Sequence, residues 1–370
     1  MASVEFADIP EPDRVEGAPH PRHSAFLYGQ AAAEAEFLAS WQAGRMHHGW
    51  LLAGPRGVGK ATLAWRIARA MVAAAPGVAP GTLQMAADAP VFRRVASLGE
   101  SRVKLIRRGW DDKLSRLRTR ITVDDTRTLH DFLGLSAADG GWRVVIVDPV
   151  DEMNASAANA MLKLLEEPPK RTLMLLISHA PARLLPTIRS RCRRLDLRAL
   201  PHDALIDAVA TAAPDLPPPS PALAELSGGS AGDALRLSAA EGPEIYARLL
   251  ALFNGAPGLD RAALNALADS AAGPGSEARR DALARMGALL PQRLARAAAM
   301  GAPGTEAGPG EARLMARLAC RPAQARIWAE AADAFTARLS HALGVNLDPG
   351  QAFLDTFLAL DAAAGRAAAA

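Results

Sequence analysis

The chain is short of cysteine, aromatic residues and lysine, and these shortages exclude several classes of protein. Its 370 residues include two cysteines, Cys192 and Cys320, which can form neither a disulfide framework nor a four-thiolate zinc site. Aromatic residues make up 5% of the chain, whereas apolar residues, dominated by alanine, make up 50%. Because alanine favours helices, we expect a mostly helical protein of two or three domains with one sheet.

The sequence also lacks the apolar segments of secreted and membrane proteins. The N-terminal stretch is acidic without an apolar signal core, and the LMLLI run near residue 175 is far too short to cross a bilayer. Together with the low cysteine content, these features predict a cytoplasmic protein without a membrane partner.

Positive charge comes almost entirely from arginine. Of 42 basic residues five are lysines, and the formal net charge of +3 does not by itself argue for nucleic acid. Ten basic side chains crowd one segment, namely Arg93, Arg94, Arg102, Lys104, Arg107, Arg108, Lys113, Arg116, Arg118 and Arg120. They would attract a phosphate backbone if they share a face, or form a solvated surface diluted by Asp111 and Asp112. Both interpretations remain open.

A glycine-rich loop is the most specific motif. Residues 54–62 read GPRGVGKAT and lie between an apolar run at 50–53 and a helical pattern from Leu63. Strand, loop and helix in this order direct backbone N–H groups and the positive helix end at a phosphate. The predicted nucleotide contacts in this loop are Gly54, Gly57, Gly59, Lys60 and Thr62. Ala61 stands where a hydroxyl would bind Mg²⁺.

Two further strands end in polar residues. The β-branched run from Arg143 ends at Asp148, the expected second partner of a nucleotide-bound metal, and the run from Thr172 ends at Ser178. Pro149 occupies the place of the glutamate that orients water in hydrolytic P-loop proteins, and it offers no proton acceptor. Glu166 and Glu167 follow in the last turn of a predicted helix, where they oppose the helix dipole. They are either a solvated helix end or serve another role.

The α/β pattern stops near residue 200, and only helical segments follow. Loop-like stretches occur at 76–90, which we place inside the first domain, at 214–221, which we interpret as a boundary region, and at 301–310. We predict a P-loop domain over 1–200, a helical lid over 201–243 and an all-helical domain over 244–370.

Four motifs together resemble one family. GPRGVGKAT, VVIVDPVDEMN, NAMLKLLEEPP and TIRSRC succeed one another as in the AAA+ subunits of bacterial sliding-clamp loaders, over roughly residues 20–240. The resemblance implies an AAA+ domain with a parallel sheet, a lid and a helical collar. It also implies that Arg191, in the Ser-Arg-Cys triplet, is an arginine finger for ATP on an adjacent subunit. The implied partners are other loader subunits in a hetero-oligomeric ring, the sliding clamp and, through the complex, primer–template DNA during replication.

Three positions depart from the hydrolysing members of that family. Ala61, Pro149 and Gly232 replace a hydroxyl residue, a glutamate and the arginine of a later G-S-x-R-x-A-L segment. Taken with the resemblance, they imply a non-hydrolysing subunit of the DNA polymerase III holoenzyme, with no catalytic residue in cis, in which Ser178 still occupies the polar sensor position. No cofactor is required, and ATP binding is expected to be weak and largely independent of magnesium. The region before Asp148 lacks the cysteines of the family's zinc module, so neither zinc nor another metal is expected.

Two other functions remain as alternatives. An ATP-hydrolysing AAA+ motor could use Thr62 with Asp151 or Glu152 in place of the missing groups. A P-loop kinase for small molecules is disfavoured by the Ser-Arg-Cys segment and the long helical tail.

Overall fold

The computed structural model describes residues 10–75, 77–134, 141–273, 275–301 and 305–370. Pro76, at the start of the first predicted loop, and residues 302–304 of the third lie outside them. The chain divides into two compact units. The first comprises the residues up to Leu216 together with Ser230–Gly232, and the second comprises Pro217–Gly229 and Asp233–Ala370. The division at residues 200 and 243 stays a prediction.

The first unit is built on a parallel sheet of five strands in the order β2-β5-β6-β1-β7. All residues of β1 and β6 are buried, because helices cover both faces of the sheet. A separate two-stranded antiparallel ribbon pairs β3 with β4. The strands are β1 (Gly49–Ala53), β2 (Val103–Ile106), β3 (Trp110–Asp111), β4 (Arg116–Leu117), β5 (Arg143–Val147), β6 (Thr172–Ser178) and β7 (Arg193–Asp196).

Side chains alternate between two apolar layers, one on each face of the sheet. Trp50 and Leu52 of β1 join the layer that holds α1 and α2, whereas Leu51 joins the layer that holds α4, α5 and α6. The helices of this unit are α1 (Ala31–Gln42), α2 (Lys60–Ala73), α3 (Pro90–Ala96), α4 (Val123–Gly134), α5 (Ala155–Glu166), α6 (Pro186–Arg189) and α7 (His202–Ala212).

The bounds of α5 follow from its sequence. The side chain of Asn154 accepts a hydrogen bond from the Ala157 N–H at 2.8 Å, which caps the first turn. The helix ends at Glu166, shortly before Pro168 and Pro169, which cannot continue it.

The rest of the chain is helical, as predicted. Gly228 and Gly229, both with positive φ, separate the first two of the helices that follow residue 216. These helices are α8 (Pro221–Ser227) and α9 (Ala231–Ala239), and α10 (Gly242–Phe253), α11 (Arg261–Asp269), α12 (Glu277–Met300), α13 (Glu311–Leu318), α14 (Pro322–Gly344) and α15 (Pro349–Ala369) follow. None of the described helices is long and apolar enough to cross a membrane. The predicted fold class, a P-loop α/β domain followed by helices, is confirmed.

A buried charge cluster joins helices within the second unit. The carboxylate of Glu311, which is 1% exposed, accepts hydrogen bonds from the Tyr246 hydroxyl and the Arg293 Nε, both at 2.6 Å. Its other oxygen accepts from the Ala307 N–H at 2.6 Å. Because each oxygen has partners, the charge is held away from water without an unpaired group.

Candidate nucleotide site and the Arg191 surface

The glycine loop joins β1 to α2, as the motif predicts. Gly54, Gly57 and Gly59 have φ angles of +150°, +74° and +102°. A Cβ on Gly54 would lie 2.2 Å from the Leu197 carbonyl oxygen, and one on Gly57 would lie 2.4 Å from the Ser230 hydroxyl. Only glycine therefore fits these positions. Gly59 is the N-cap of α2, so the N–H groups of the first helical turn follow directly after the loop.

Lys60 lies inside this loop and is 3% exposed. Its ammonium donates to the Gly54 carbonyl at 2.8 Å and to the Pro55 carbonyl. Ala61, the next residue, is half-buried against the core and brings no oxygen to the site. The loop therefore retains the cation and the backbone of a phosphate site, without the side-chain hydroxyl that would hold Mg²⁺.

Asp148 follows β5 at the same edge of the sheet. Burial and, to a smaller extent, the Asp13 carboxylate raise its pKa to about 8, against the opposing effect of the Lys60 ammonium. At pH 7 this carboxyl is therefore mostly protonated. Asp13 comes from the N-terminal segment, and nothing in the sequence pattern indicated its approach to Asp148.

Asp151, which the sequence suggests as an alternative catalytic base, accepts hydrogen bonds from residues at the end of β6. Its carboxylate accepts from the Ser178 hydroxyl at 2.8 Å and from the His179 N–H at 2.6 Å. Glu152, the other candidate, forms an ion pair with Arg108 at 2.8 Å. Both carboxylates have structural partners, which weighs against a role for either in activating water.

The segment Ser230–Gly232 packs directly on the glycine loop, within the first unit. The Ser230 hydroxyl donates to the Arg56 carbonyl at 2.8 Å, and the Gly232 N–H donates to the Gly57 carbonyl at 3.1 Å. Gly232, which replaces the arginine expected from the resemblance, therefore lies beside the loop but contributes only backbone.

Gln30 is a structural residue of the site that sequence reasoning missed. Its side-chain NH₂ donates to the Val58 carbonyl at 3.1 Å and to the Arg198 carbonyl at 2.7 Å. These bonds tie the glycine loop to the residues after β7. The partners are distant in the chain, so no local sequence signal could have revealed them.

Arg191 lies at the other end of the parallel strands, where their amino ends meet. It precedes β7, and β7 runs parallel to β1 with Trp50 beside Arg193 and Ala53 beside Asp196. The glycine loop leaves the carboxyl end of β1, whereas Arg191 stands just before the amino end of β7. Five residues of strand span about 16 Å, so the guanidinium and the chain's own glycine loop are separated by the length of the sheet.

The Arg191 side chain has two partners at this edge. Its Nη2 pairs with Glu166 Oε1 at 2.7 Å, and its Nη1 donates to the Thr187 carbonyl at 3.1 Å. The neighbouring thiol of Cys192 is largely buried, and burial raises its pKa to about 12. The cysteine is therefore a packing residue and not a nucleophile.

Several cations of the arginine-rich segment have carboxylate partners. Arg102 pairs with Glu100 at 3.0 Å, and Arg107 pairs with Asp13 at 2.6 Å. Lys104, Arg107 and Arg108 line a cleft of about 1040 Å³ that also includes apolar side chains. The pairing favours the interpretation of a charged surface, and a role in binding DNA stays a hypothesis. In the described ranges no cluster of three or more His, Cys, Asp or Glu residues could hold a metal ion.

Comparison with known proteins shows which family the N-terminal part of the chain is similar to. Residues 29–201 match the family model described as DNA polymerase III, delta subunit. The chain is 38% identical over 199 residues to the DNA polymerase III subunit delta' of Pseudomonas aeruginosa, covering 51% of this chain and 55% of that protein. It is 32% identical over 187 residues to the gamma/tau subunit of Mycobacterium tuberculosis, covering 49% of this chain and 29% of that protein.

Among solved structures, the chain is similar to a DNA polymerase III gamma subunit-related protein from Thermotoga maritima. The two share 21% identity with a TM-score of 0.36, over 88% of this chain and 98% of the other. The aligned region spans about half the length of the delta' relative. The resemblance to clamp-loader subunits predicted from the four motifs is confirmed for the N-terminal half of the chain.

Proposed function

We propose that this chain, similar over residues 29–201 to the DNA polymerase III delta family, is a clamp-loader subunit that assists ATP hydrolysis on a neighbour and hydrolyses none itself. Its partners would be the other loader subunits, the sliding clamp and, through the complex, primer–template DNA.

The position of Arg191 is the observation that carries this proposal. The guanidinium lies at the amino edge of the parallel sheet, about 16 Å of strand away from the chain's own glycine loop. It cannot reach a phosphate held there, but it is partly exposed and accessible to another subunit. A permanent planar cation in that place suits the charge that develops on a departing γ-phosphate.

The chain's own site lacks groups that ATP hydrolysis needs, which supports the proposal that the chain hydrolyses no ATP itself. Ala61 has no oxygen for Mg²⁺, Pro149 has no proton acceptor, and Gly232 adds only backbone. Asp151 and Glu152, which could have replaced the missing base, are bonded elsewhere. Losses of a metal ligand and of a water-orienting group each remove several kcal/mol of transition-state stabilisation, roughly 3 kcal/mol per group.

Nucleotide binding without turnover is a separate part of the proposal. Gly54, Gly57, Gly59, Lys60 and Thr62 would hold the phosphates, with Asp148 and Ser178 at the neighbouring strand ends. Without a hydroxyl at position 61, Mg²⁺ gains little from this chain, so ATP should bind weakly and with little dependence on magnesium. No metal or zinc is needed for this role.

Steady-state ATP hydrolysis by the reconstituted complex tests the trans role of Arg191. We expect Arg191→Ala to lower turnover at the adjacent site by about 10³-fold or more, so that the complex loses that site's share of its rate. Assembly, followed by gel filtration, should be unchanged because Arg191 is a surface residue.

The matched control is Arg189→Ala, which removes an exposed arginine two residues away. An Arg191→Ala complex that assembles and hydrolyses ATP at the full rate would contradict the trans role. Robust hydrolysis by the isolated wild-type chain would instead support the alternative, an ATP-hydrolysing motor.

A further inference from the structure

Glu166 occupies a position that its own helix does not explain. It is the last residue of α5, and a carboxylate there opposes the helix dipole. Instead of being only solvated, its Oε1 pairs with Arg191 Nη2 at 2.7 Å. The carboxylate that is unfavourable at this helix end thus pairs with Arg191, the residue to which the proposed function assigns a role in trans.

Buried side chains and hydrogen bonds hold the backbone in place on both sides of this ion pair. The C-terminal turn of α5 is held by the buried Leu165, whose carbonyl is bonded to His48 Nε2 at 2.9 Å. On the other side, the buried Ile188 anchors α6, and the Thr187 carbonyl accepts from Arg191 Nη1. The guanidinium is therefore held at two of its nitrogens in a defined position at the edge of the sheet.

The ion pair is also weak enough to be exchanged. The Arg191 side chain is 35% exposed and the Glu166 side chain 48% exposed, so water screens their attraction. A γ-phosphate carries more negative charge than a carboxylate and accepts from arginine through two oxygens. A carboxylate that stayed beside the guanidinium would repel that phosphate, so the two anions compete for Arg191.

We infer that Glu166 is a positioning residue that acts through Arg191, holding the guanidinium until the γ-phosphate of a neighbouring subunit's ATP displaces it. The inference rests on the proposed function of Arg191 and adds to it a partner within the same chain. Glu166 lowers the tendency of Arg191 to engage ATP and leaves the rate of the engaged complex unchanged.

The test is ATP hydrolysis by the reconstituted complex as a function of ATP concentration. We expect Glu166→Gln to lower the apparent KM of the adjacent site by about two- to fivefold, the range that a surface ion pair can supply, with kcat unchanged. The difference from the wild type should shrink as salt is raised from 0.05 to 0.5 M, because screening weakens the ion pair.

Two further variants and one further measurement make the outcome decisive. Glu167→Gln removes the adjacent exposed carboxylate, for which no change is expected. Glu166→Gln combined with Arg191→Ala should behave as Arg191→Ala alone. The melting temperature of the Glu166→Gln chain should match the wild type, which separates positioning from folding.

The two proposals fail in different ways. If Arg191→Ala slows the complex but Glu166→Gln leaves the KM unchanged or raises it, the role of Glu166 is overturned and that of Arg191 stands. An equal effect of Glu167→Gln would overturn it as well. If Arg191→Ala has no effect on the rate, the proposed function itself fails, whatever the Glu166 variant does.

Discussion

Asp148 shows how burial governs a single acidic residue in this site. It is 6% exposed, and its pKa lies near 8, against 3.8 for an ordinary aspartate. The folded chain therefore binds this proton more tightly than the unfolded chain. The stabilisation is complete below about pH 3.8 and is lost progressively as the pH rises through 8.

Asp148→Asn should remove this pH dependence, because an amide does not ionise. We expect the variant to have a higher free energy of unfolding than the wild type at pH 8.5. This gain should exceed the gain at pH 5 by at least about 2 kcal/mol, since each pKa unit corresponds to about 1.4 kcal/mol. Thermal unfolding at the two pH values measures it. Asp333→Asn, which removes an exposed carboxylate of α14, should show no such gain. A gain for Asp148→Asn that is equal at both pH values would contradict the assignment.

The glycines of the loop could be predicted individually, whereas Asp13 and Gln30 could not. Gly54, Gly57 and Gly59 lie within six residues, and their spacing alone predicts a phosphate-binding loop whose backbone conformation requires glycine. Gln30 reaches the site by hydrogen bonds to Val58 and Arg198, and Asp13, from the N-terminal segment, lies near enough to Asp148 to raise its pKa. Such contacts depend on how the chain folds back on itself, which no local pattern encodes.

At the scale of elements, the interface between α12 and α14 depends on one glycine. A Cβ on Gly287 would lie 2.4 Å from the Cζ of Phe335, a ring that is 2% exposed. The two long helices therefore approach closely at this point, and the absence of a side chain permits the contact.

Gly287→Ala tests this packing. In an open helix the change would stabilise by about 1 kcal/mol, but here the added methyl must displace a buried ring, so we expect a net loss of about 1–3 kcal/mol. Gly344→Ala is the matched control, since nothing lies within 4 Å of its added Cβ at the end of α14. Comparison of the two melting temperatures decides the question. Equal or higher stability of Gly287→Ala would show that the ring moves without cost.

Some elements were predictable from the sequence and others were not. The strand predicted from Thr172 to Ser178 is β6, because its continuous apolar run reflects burial on both faces. β2 was missed, since it is an edge strand whose residues 103–105 are half-buried and include a lysine. Its segment therefore reads as a charged loop, and only its pairing with β5 makes it a strand.

At the scale of the whole molecule, two features of the chain, the glycine loop and Arg191, are too far apart to meet at one phosphate. The glycine loop lies at the carboxyl edge of the sheet and Arg191 at the amino edge. A subunit with this arrangement would affect ATP hydrolysis through its neighbour and not through its own loop.

Lys60→Ala in the reconstituted complex separates these two features. We expect the rate of ATP hydrolysis to be unchanged while the complex assembles, because the proposed function assigns no turnover to the loop of this chain. Titration calorimetry of the isolated wild-type chain should show weak ATP binding that changes little when Mg²⁺ is omitted. A large loss of rate in an intact Lys60→Ala complex, or tight magnesium-dependent binding, would contradict the non-hydrolysing role.

The sequence by itself determined the features that depend on neighbouring residues. These are the glycine loop between strand and helix, the missing oxygen at Ala61, the missing acceptor at Pro149 and the helical character beyond residue 200. Each expresses a local requirement of backbone conformation, side-chain chemistry or helix propensity.

Only the tertiary structure decided which of these groups meet. The order and parallel register of the strands set Arg191 apart from the glycine loop, brought Glu166 to Arg191 and placed Asp13 near Asp148. These pairs are separated by tens of residues or more along the chain, so their distances follow from the packing of the sheet and its helices and not from any pattern in the sequence.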